Sequence, residues 1–365
     1  MVSTGGNYKL AAERLGQENF LFTLRGSSAL WLYLKALNPG DLRIIIPANV
    51  CEIVVGTILD LGMTPLYADV DPLTGNCRVE DLEQAFQEGT KLLLAVHNYG
   101  QPLPMPEVME WANEKGIRVI EDVCNALGAT IGGIPAGCFG DAAIYSFGYG
   151  KIIDAGIGGA LAAKDFTVID RCRALQNNLP VYSSQTAQLY EGCQKCLRFI
   201  RQYRSLQQPA VYNALYRILQ PAVLHAPTEG LSSTVLGKIA GLDENIAIRG
   251  ERAYKYRNEL NHPLVIHPPH FTESVCWRYS IHVPGSVRDD LIEHLRGRGL
   301  PVSKWYPAVD RLFHDVEGET KNRGVDMFEQ TVVNMWVDIS VSEEIVDMTI
   351  EEILQFMNGR KKGNW

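Results

Sequence analysis

An α/β fold is what this sequence predicts: a large domain with a mostly parallel sheet flanked by helices, followed by a small C-terminal α+β domain. Three observations carry that expectation. Between residues 43 and 164, short apolar runs alternate with amphipathic stretches across connections of a few residues, the pattern of a parallel sheet covered on both faces. The chain has 365 residues, enough to bury a large core and long for a single pair of layers. Its last third changes pattern, to a few strands interleaved with long helices. The expected division is residues 1–245 for the large domain, with a helical insertion at about 177–230, and residues 246–365 for the small one.

In chain order, Asn19 to Leu24 (NFLFTL) reads as an extended run that feeds Arg25-Gly26-Ser27-Ser28. A helix follows at once, with Leu30, Leu34 and Leu37 at helical spacing and Pro39-Gly40 ending it. Backbone N–H groups and hydroxyls at such a helix start suit an anion, and they equally suit an ordinary serine cap. Next come the strand RIII (Arg43 to Ile46), the loop and helix PANVCEIVVGTILDLGM, and the strand PLYADV (Pro65 to Val70). The helix VEDLEQAFQEG, the strand LLLAVHNYG and the helix MPEVMEWANEKG continue the alternation. Ligands of such sheets bind outside the carboxyl ends of the strands. That rule puts Cys51, Asn98, Tyr99, Asp122 and Ser146 on the functional edge.

The stretch from Ile117 to Lys164 concentrates the chemistry. Val119-Ile120 and Ala142 to Tyr145 read as buried strands. The first delivers Glu121-Asp122 and then Asn125; the second delivers Ser146, and Lys151 follows among Gly148, Gly150, Gly156, Gly158 and Gly159. An amine on a flexible stem where glycine allows close approach suits condensation with a carbonyl cofactor. A carboxylate at a neighbouring strand end suits a pyridinium nitrogen. Taken singly, Asp122 and Lys151 are no more than a solvated acid and a loop lysine; their shared setting sets them apart.

EDVCNALGA followed by YSFGYGK and GIGGAL resembles the DegT/StrS family of pyridoxal-phosphate sugar aminotransferases, within fold type I. The resemblance covers most of the chain and is most specific in its first half. It implies the cofactor pyridoxal 5′-phosphate, Lys151 as the amine joined to it and as the proton-moving base, and Asp122 against its ring nitrogen. It further implies that Ser27, Ser28 and Ser146 contact the phosphate, and that Asn125, in place of a glutamine, donates to the phenolic oxygen. Relatives that act as dehydratases carry histidine in place of the lysine, so Lys151 argues for amino transfer. The position that usually stacks an aromatic ring on the cofactor falls at Cys51, with Tyr99 and Tyr149 as nearby substitutes, and the usual histidine is Leu127. The resemblance also implies a homodimer with a shared site. The Gly-x-Asn-Tyr-Arg stretch that reaches the neighbouring subunit would fall near Ala226 to Ser233 (APTEGLSS) and is absent.

Residues 177–230 are the least family-like. Tyr190 to Leu206 predicts an amphipathic basic helix and PAVYNALYRILQPAVL a more apolar one. A subunit interface or substrate lid, a membrane-surface contact and a plain covering layer are the three readings. Asp165 to Gln176 predicts a helix that leaves the core, and a long connecting helix is expected from Ser232 to Leu260. The small domain is expected to hold a strand at Leu264 to His267, another at Trp277 to Val283, a helix at Ser286 to Arg298, the family-like Trp305-Tyr306-Pro307, a strand VVNMWVDI and a last helix. Ser340 with Glu343 has the form of a capping box for that helix, and Ser342 that of a simple cap.

A net charge of −8 and a pI near 5.6 offer no basic footprint for nucleic acid. No apolar run reaches the ~18 residues of a membrane span, and the N-terminus has no signal-peptide form, so a cytoplasmic protein is expected. The eight cysteines are scattered, which suits reduced thiols in that compartment, and the lone CxxC of Cys193 and Cys196 is weak ground for zinc, so no metal is expected. The histidines show no ligand spacing, and His267 with His270 (HPPH) reads as a rigid surface loop. The expected function is transfer of an amino group from an amino acid, glutamate above all, to a keto acceptor such as a nucleotide-linked keto sugar or a secondary-metabolite precursor. Pyridoxal-phosphate elimination, cyclisation or decarboxylation is the alternative, and a non-catalytic cofactor-binding sensor is a third.

Overall fold

A computed structural model describes residues 4–38, 40, 42–203, 206–269, 272–314 and 323–359. Its strands are β1 (Phe20–Thr23), β2 (Arg43–Pro47), β3 (Thr64–Ala68), β4 (Thr90–Val96), β5 (Arg118–Asp122), β6 (Thr130–Ile131), β7 (Ile134–Pro135), β8 (Ala142–Ser146), β9 (Gly159–Ala163), β10 (Tyr279–His282), β11 (Val302–Ser303) and β12 (Val332–Met335). Seven of them form one sheet in the order β1-β9-β8-β5-β4-β2-β3. Strands β2, β3, β4, β5 and β8 pair parallel; β9 runs antiparallel to both β8 and β1. All strands but β9 therefore bring their carboxyl ends to one edge.

Successive side chains of these strands are buried on opposite faces, which is why the strands read as unbroken apolar runs. Ile44 and Ile46 enter one core with Leu94, Ile120 and Ile144, while Ile45 enters another with Leu66, Leu93 and Val119. A separate core joins β10 and β12 to Leu291, Leu295, Ile350 and Ile353 of the helices Gly285–Gly297 and Glu343–Gly359. The helix Leu242–Glu259 spans the two regions: Leu242 packs with the large sheet, Ala253 and Tyr256 with the small one. The expected boundary at residue 245 falls inside it.

Several expectations need correction. A helix at Thr4–Leu15 precedes β1, and it buries Ala11 and Leu15. The helix Phe166–Asn177, capped by Asp165, does not leave the core; it buries Val168, Ile169 and Cys172 against the helix Gly26–Ala36. The connecting helix is two, Leu231–Ile239 and Leu242–Glu259, parted at Ala240-Gly241. Leu264 to His267 forms only a single bridge, Ile266 to His282. Ser342, not Ser340, caps the last helix, accepting from the Ile345 N–H, while Ser340 donates to Asp338. His267 is half-buried between the Tyr279 hydroxyl and the Leu260 carbonyl; His270 and the tail from residue 360 lie outside the described residues.

The insertion comprises the helices Ser184–Gln202 and Pro209–Val223, packed on each other. Their apolar faces, including Cys193, Leu197, Ile200, Tyr212 and Tyr216, belong to the main core and cover it. Tyr216 lies so close to the helix Glu52–Asp60 that a Cβ on Gly56 would come within 2.7 Å of its ring. Among the described residues no helix is long and apolar enough to cross a membrane.

Candidate active site

The register of β5 and β8 sets Asp122 beside Ile144, so Asp122 and Ser146 end adjacent strands on the same edge. Asp122 is almost fully buried, and one of its oxygens accepts the Cys124 N–H at 2.9 Å. After Ser146 the chain turns back through Gly150, whose φ of +73° favours glycine. That turn aims Lys151 at Asn125, and Nζ donates to Asn125 Oδ1 at 2.8 Å. The Asn125 amide in turn donates to the Tyr306 hydroxyl at 3.0 Å, and the Tyr306 N–H donates to the Tyr99 hydroxyl at 2.8 Å.

Three groups hold the Lys151 loop. The Trp277 indole donates to the Gly150 carbonyl at 2.7 Å, and Asp154 accepts the Gly150 N–H at 2.7 Å. Arg249 reaches the Lys151 carbonyl at 3.5 Å while donating to the Trp277 carbonyl at 3.0 Å and to Asn245 Oδ1. Its guanidinium is fully buried among neutral acceptors, and burial brings its pKa down to about 10 against the opposing pull of Asp338. Lys151 Nζ stands 5.3 Å from the Trp277 ring centre, and Tyr306 stacks on the same indole. A cavity of about 800 Å³ opens behind this loop, lined by Tyr149 to Gly156, Glu244, Arg249 and Asp338; Asp122, Asn125 and Ser146 do not line it.

Opposite, Cys51 precedes the helix Glu52–Asp60. Cys51 is exposed, yet desolvation by the side chains around it pushes the thiol pKa up, with Lys151 pulling the other way. Neither suggested aromatic substitute stands there. Tyr149 is 77% exposed, and Tyr99 is sealed between Phe328, Trp277 and Tyr306. The insertion supplies what does border Cys51: Arg201 pairs with buried Glu52 and lies over the Trp305 ring, and the Tyr216 hydroxyl donates to Glu52 at 2.9 Å.

The helix Gly26–Ala36 starts beside this edge, since a Cβ on Gly26 would meet Ser146 Cβ at 3.2 Å and Cys124 Sγ at 3.0 Å. Ser27 is half-buried at its first turn. Ser28 departs from expectation: its hydroxyl donates to the Val223 carbonyl at 2.7 Å, which leaves only its main-chain N–H for a ligand. Arg25, Trp277, Arg249 and the Glu52–Arg201 pair were not marked by the motifs. Only the basic residue at a helix start, in the case of Arg25, was a signal in the sequence.

The sequence profile of the DegT/DnrJ/EryC1/StrS aminotransferase family, described by that name, matches residues 9–195. The chain belongs to this family. A family relative in Saccharopolyspora spinosa, dTDP-4-dehydro-2,3,6-trideoxy-D-glucose 4-aminotransferase, is 28% identical over 81% of this chain and 73% of its own length. GDP-perosamine synthase from Escherichia coli O157:H7 is 35% identical over 47% of this chain and 49% of that protein, so the match spans about half of that relative. The crystal structure of the aminotransferase TlmJ from Streptoalloteichus hindustanus superposes with a TM-score of 0.80 at 20% identity, over 97% of this chain and 91% of that one, which establishes the shared fold.

Aminotransferases of this family use pyridoxal phosphate, and the residues on the sheet edge fit it. An amine, a buried carboxylate at the adjoining strand end and a helix start with free N–H groups lie together. Beside that helix start, Arg25 Nε is buried with no partner, an orphaned donor of the kind that a bound anion satisfies.

Proposed function

We propose that the chain transfers an amino group from an amino acid, glutamate first, to the keto carbon of a nucleotide-linked sugar, with Lys151 and Asp122 at the centre of the chemistry. The observation that carries this reading is the 2.8 Å contact of Lys151 Nζ with Asn125 Oδ1 beside the strand-end carboxylate of Asp122, in a chain of this family. Bound pyridoxal phosphate supplies an electron sink for the carbanion formed at the donor's α-carbon. Lys151 Nζ would take the proton from the donor's α-carbon and return it, and Trp277 and Arg249 hold its loop. Asp122, buried at the end of β5, would hold the cofactor's ring nitrogen and keep its proton there. Asn125 orients Lys151 and Tyr306 through opposite ends of one amide. The acceptor class is supported by the name of the Saccharopolyspora relative, which acts on a dTDP-linked dehydro sugar. The chain acts in the cytoplasm as a homodimer of two-domain subunits, and light scattering that gives a monomer at working concentration would remove the dimer.

The test is the absorbance of the protein with pyridoxal phosphate, before and after L-glutamate, with Lys151→Ala alongside. A visible band that needs Lys151 and moves to the near-ultraviolet on adding glutamate is the expected result. A band that glutamate leaves unchanged would transfer the reading to other pyridoxal chemistry.

A further inference from the structure

The Gly-x-Asn-Tyr-Arg stretch by which relatives of this family resemble one another is missing, and its place in the chain is put to another use. Ala226 forms a parallel bridge with Val181, and the Tyr182 N–H donates to the Ala226 carbonyl at 3.3 Å. That pairing fixes Tyr182 beside the end of β1, with His225 packed edge-on against its ring. There the Arg25 guanidinium lies 3.6 Å from the ring centre of Tyr190 and 5.9 Å from that of Tyr182, whose hydroxyl it reaches at 3.5 Å.

Arg25 is an anomaly by charge and by bonding. It occupies the N-cap position of the helix Gly26–Ala36 without making a cap bond, at the end where the helix dipole already carries positive charge. No carboxylate pairs with it among the described residues. Its Nε is the one buried guanidinium nitrogen among them with no hydrogen-bond partner. A half-buried cation added to the positive end of a helix costs free energy unless an anion joins it.

We infer that Arg25, held by Tyr182 and Tyr190 of the same chain, is the cation that binds the cofactor's phosphate here, in place of a contact from the neighbouring subunit. The inference rests on the function proposed above. A phosphate dianion at the N–H groups of Gly26, Ser27 and Ser28 meets a fixed planar donor whose orientation the two tyrosines set.

The experiment titrates the apoprotein with pyridoxal phosphate and with pyridoxal, which lacks the phosphate, and follows the bound phosphorus by ³¹P NMR across pH. Arg25→Gln is expected to weaken pyridoxal phosphate by roughly 10–100-fold while leaving pyridoxal affinity unchanged. Its phosphorus resonance should titrate near the free ester's second ionisation, at about pH 6, where the wild type holds the dianion lower. Arg25→Lys keeps the charge and loses the planar fork, so it should fall between, and it serves in the same way if the glutamine variant does not fold. Equal weakening of both ligands, or a pyridoxal phosphate affinity within about twofold of wild type with an unchanged ³¹P titration, overturns the inference. Failure of the wild type to bind pyridoxal phosphate would instead sink the proposed function, a separate outcome.

Discussion

Glu121 allows a sharp test of how the site edge is held. It precedes Asp122 in β5, points to the other face of the sheet, and is fully buried. Its carboxylate accepts the N–H groups of Gly137, Phe139 and Gly140 at 2.8, 2.7 and 2.6 Å, and it faces His97 Nε2 at 3.2 Å. These contacts fasten the turn that leads into β8, and so set Ser146 and Lys151 relative to Asp122. Burial raises the Glu121 pKa, but His97 and the backbone donors overcome it, and the net direction is downward. In Glu121→Gln one oxygen remains to accept, and the new NH₂ group must face donors. Two of the four contacts are lost at about 1.5–3 kcal/mol each, so the variant should lose about 3–6 kcal/mol. Urea unfolding of the apoprotein at pH 7 measures this as a lower midpoint at constant slope. The sign with pH follows from the lowered pKa. The stabilisation is complete above the unfolded glutamate value of about 4.3 and is lost as pH falls through the lower folded value. The gap between wild type and variant should therefore close below pH 4. A loss under about 1 kcal/mol at pH 7, or a gap that does not shrink in acid, refutes the account.

Two further outcomes are expected. Glu52→Gln leaves Arg201 over the Trp305 ring without its partner and should destabilise the apoprotein by about 2–3 kcal/mol, less than for a wholly buried pair because Arg201 is partly exposed; a loss within error, read by the same urea assay, would make the pair incidental. Cys51 should alkylate slowly at pH 8 despite its exposure, because desolvation by the side chains around it holds its thiol pKa up. It should then be shielded further by pyridoxal phosphate, and peptide mass spectrometry after timed iodoacetamide treatment reads both effects.

What the chain showed in advance and what it withheld divide along sequence distance. The run RIII is apolar at every position because both faces of β2 are buried, and that local pattern identifies a parallel sheet before any contact is known. Asp122 and Ser146 reach one edge because two neighbouring strands end side by side, and Lys151 follows in the loop after the second. The partners that steady them do not follow from local pattern. Arg201 reaches Glu52 across 149 positions, and Arg249 reaches the Lys151 carbonyl across 98. The N-terminal helix Thr4–Leu15 was hidden by its polar surface and paired glycines, and its stability comes from burying Ala11 and Leu15 in the completed core. The break at Gly241 divides a stretch whose apolar spacing alone runs on.

Arg25 belongs to neither group. Its contacts with Tyr182 and Tyr190 are long-range, yet the reason it stands out is local: a basic side chain at a helix start opposes the macrodipole, where acidic or small polar residues are favoured. Motif matching passes over such a residue because it is not part of the pattern, and the helix around it is ordinary. A violated local rule with no compensating anion among the described residues of the chain points to a partner outside it. The partner inferred above for Arg25 is negative and would sit at the helix N-terminus, where Gly26 lies close to Ser146, the place the phosphate of the cofactor would take.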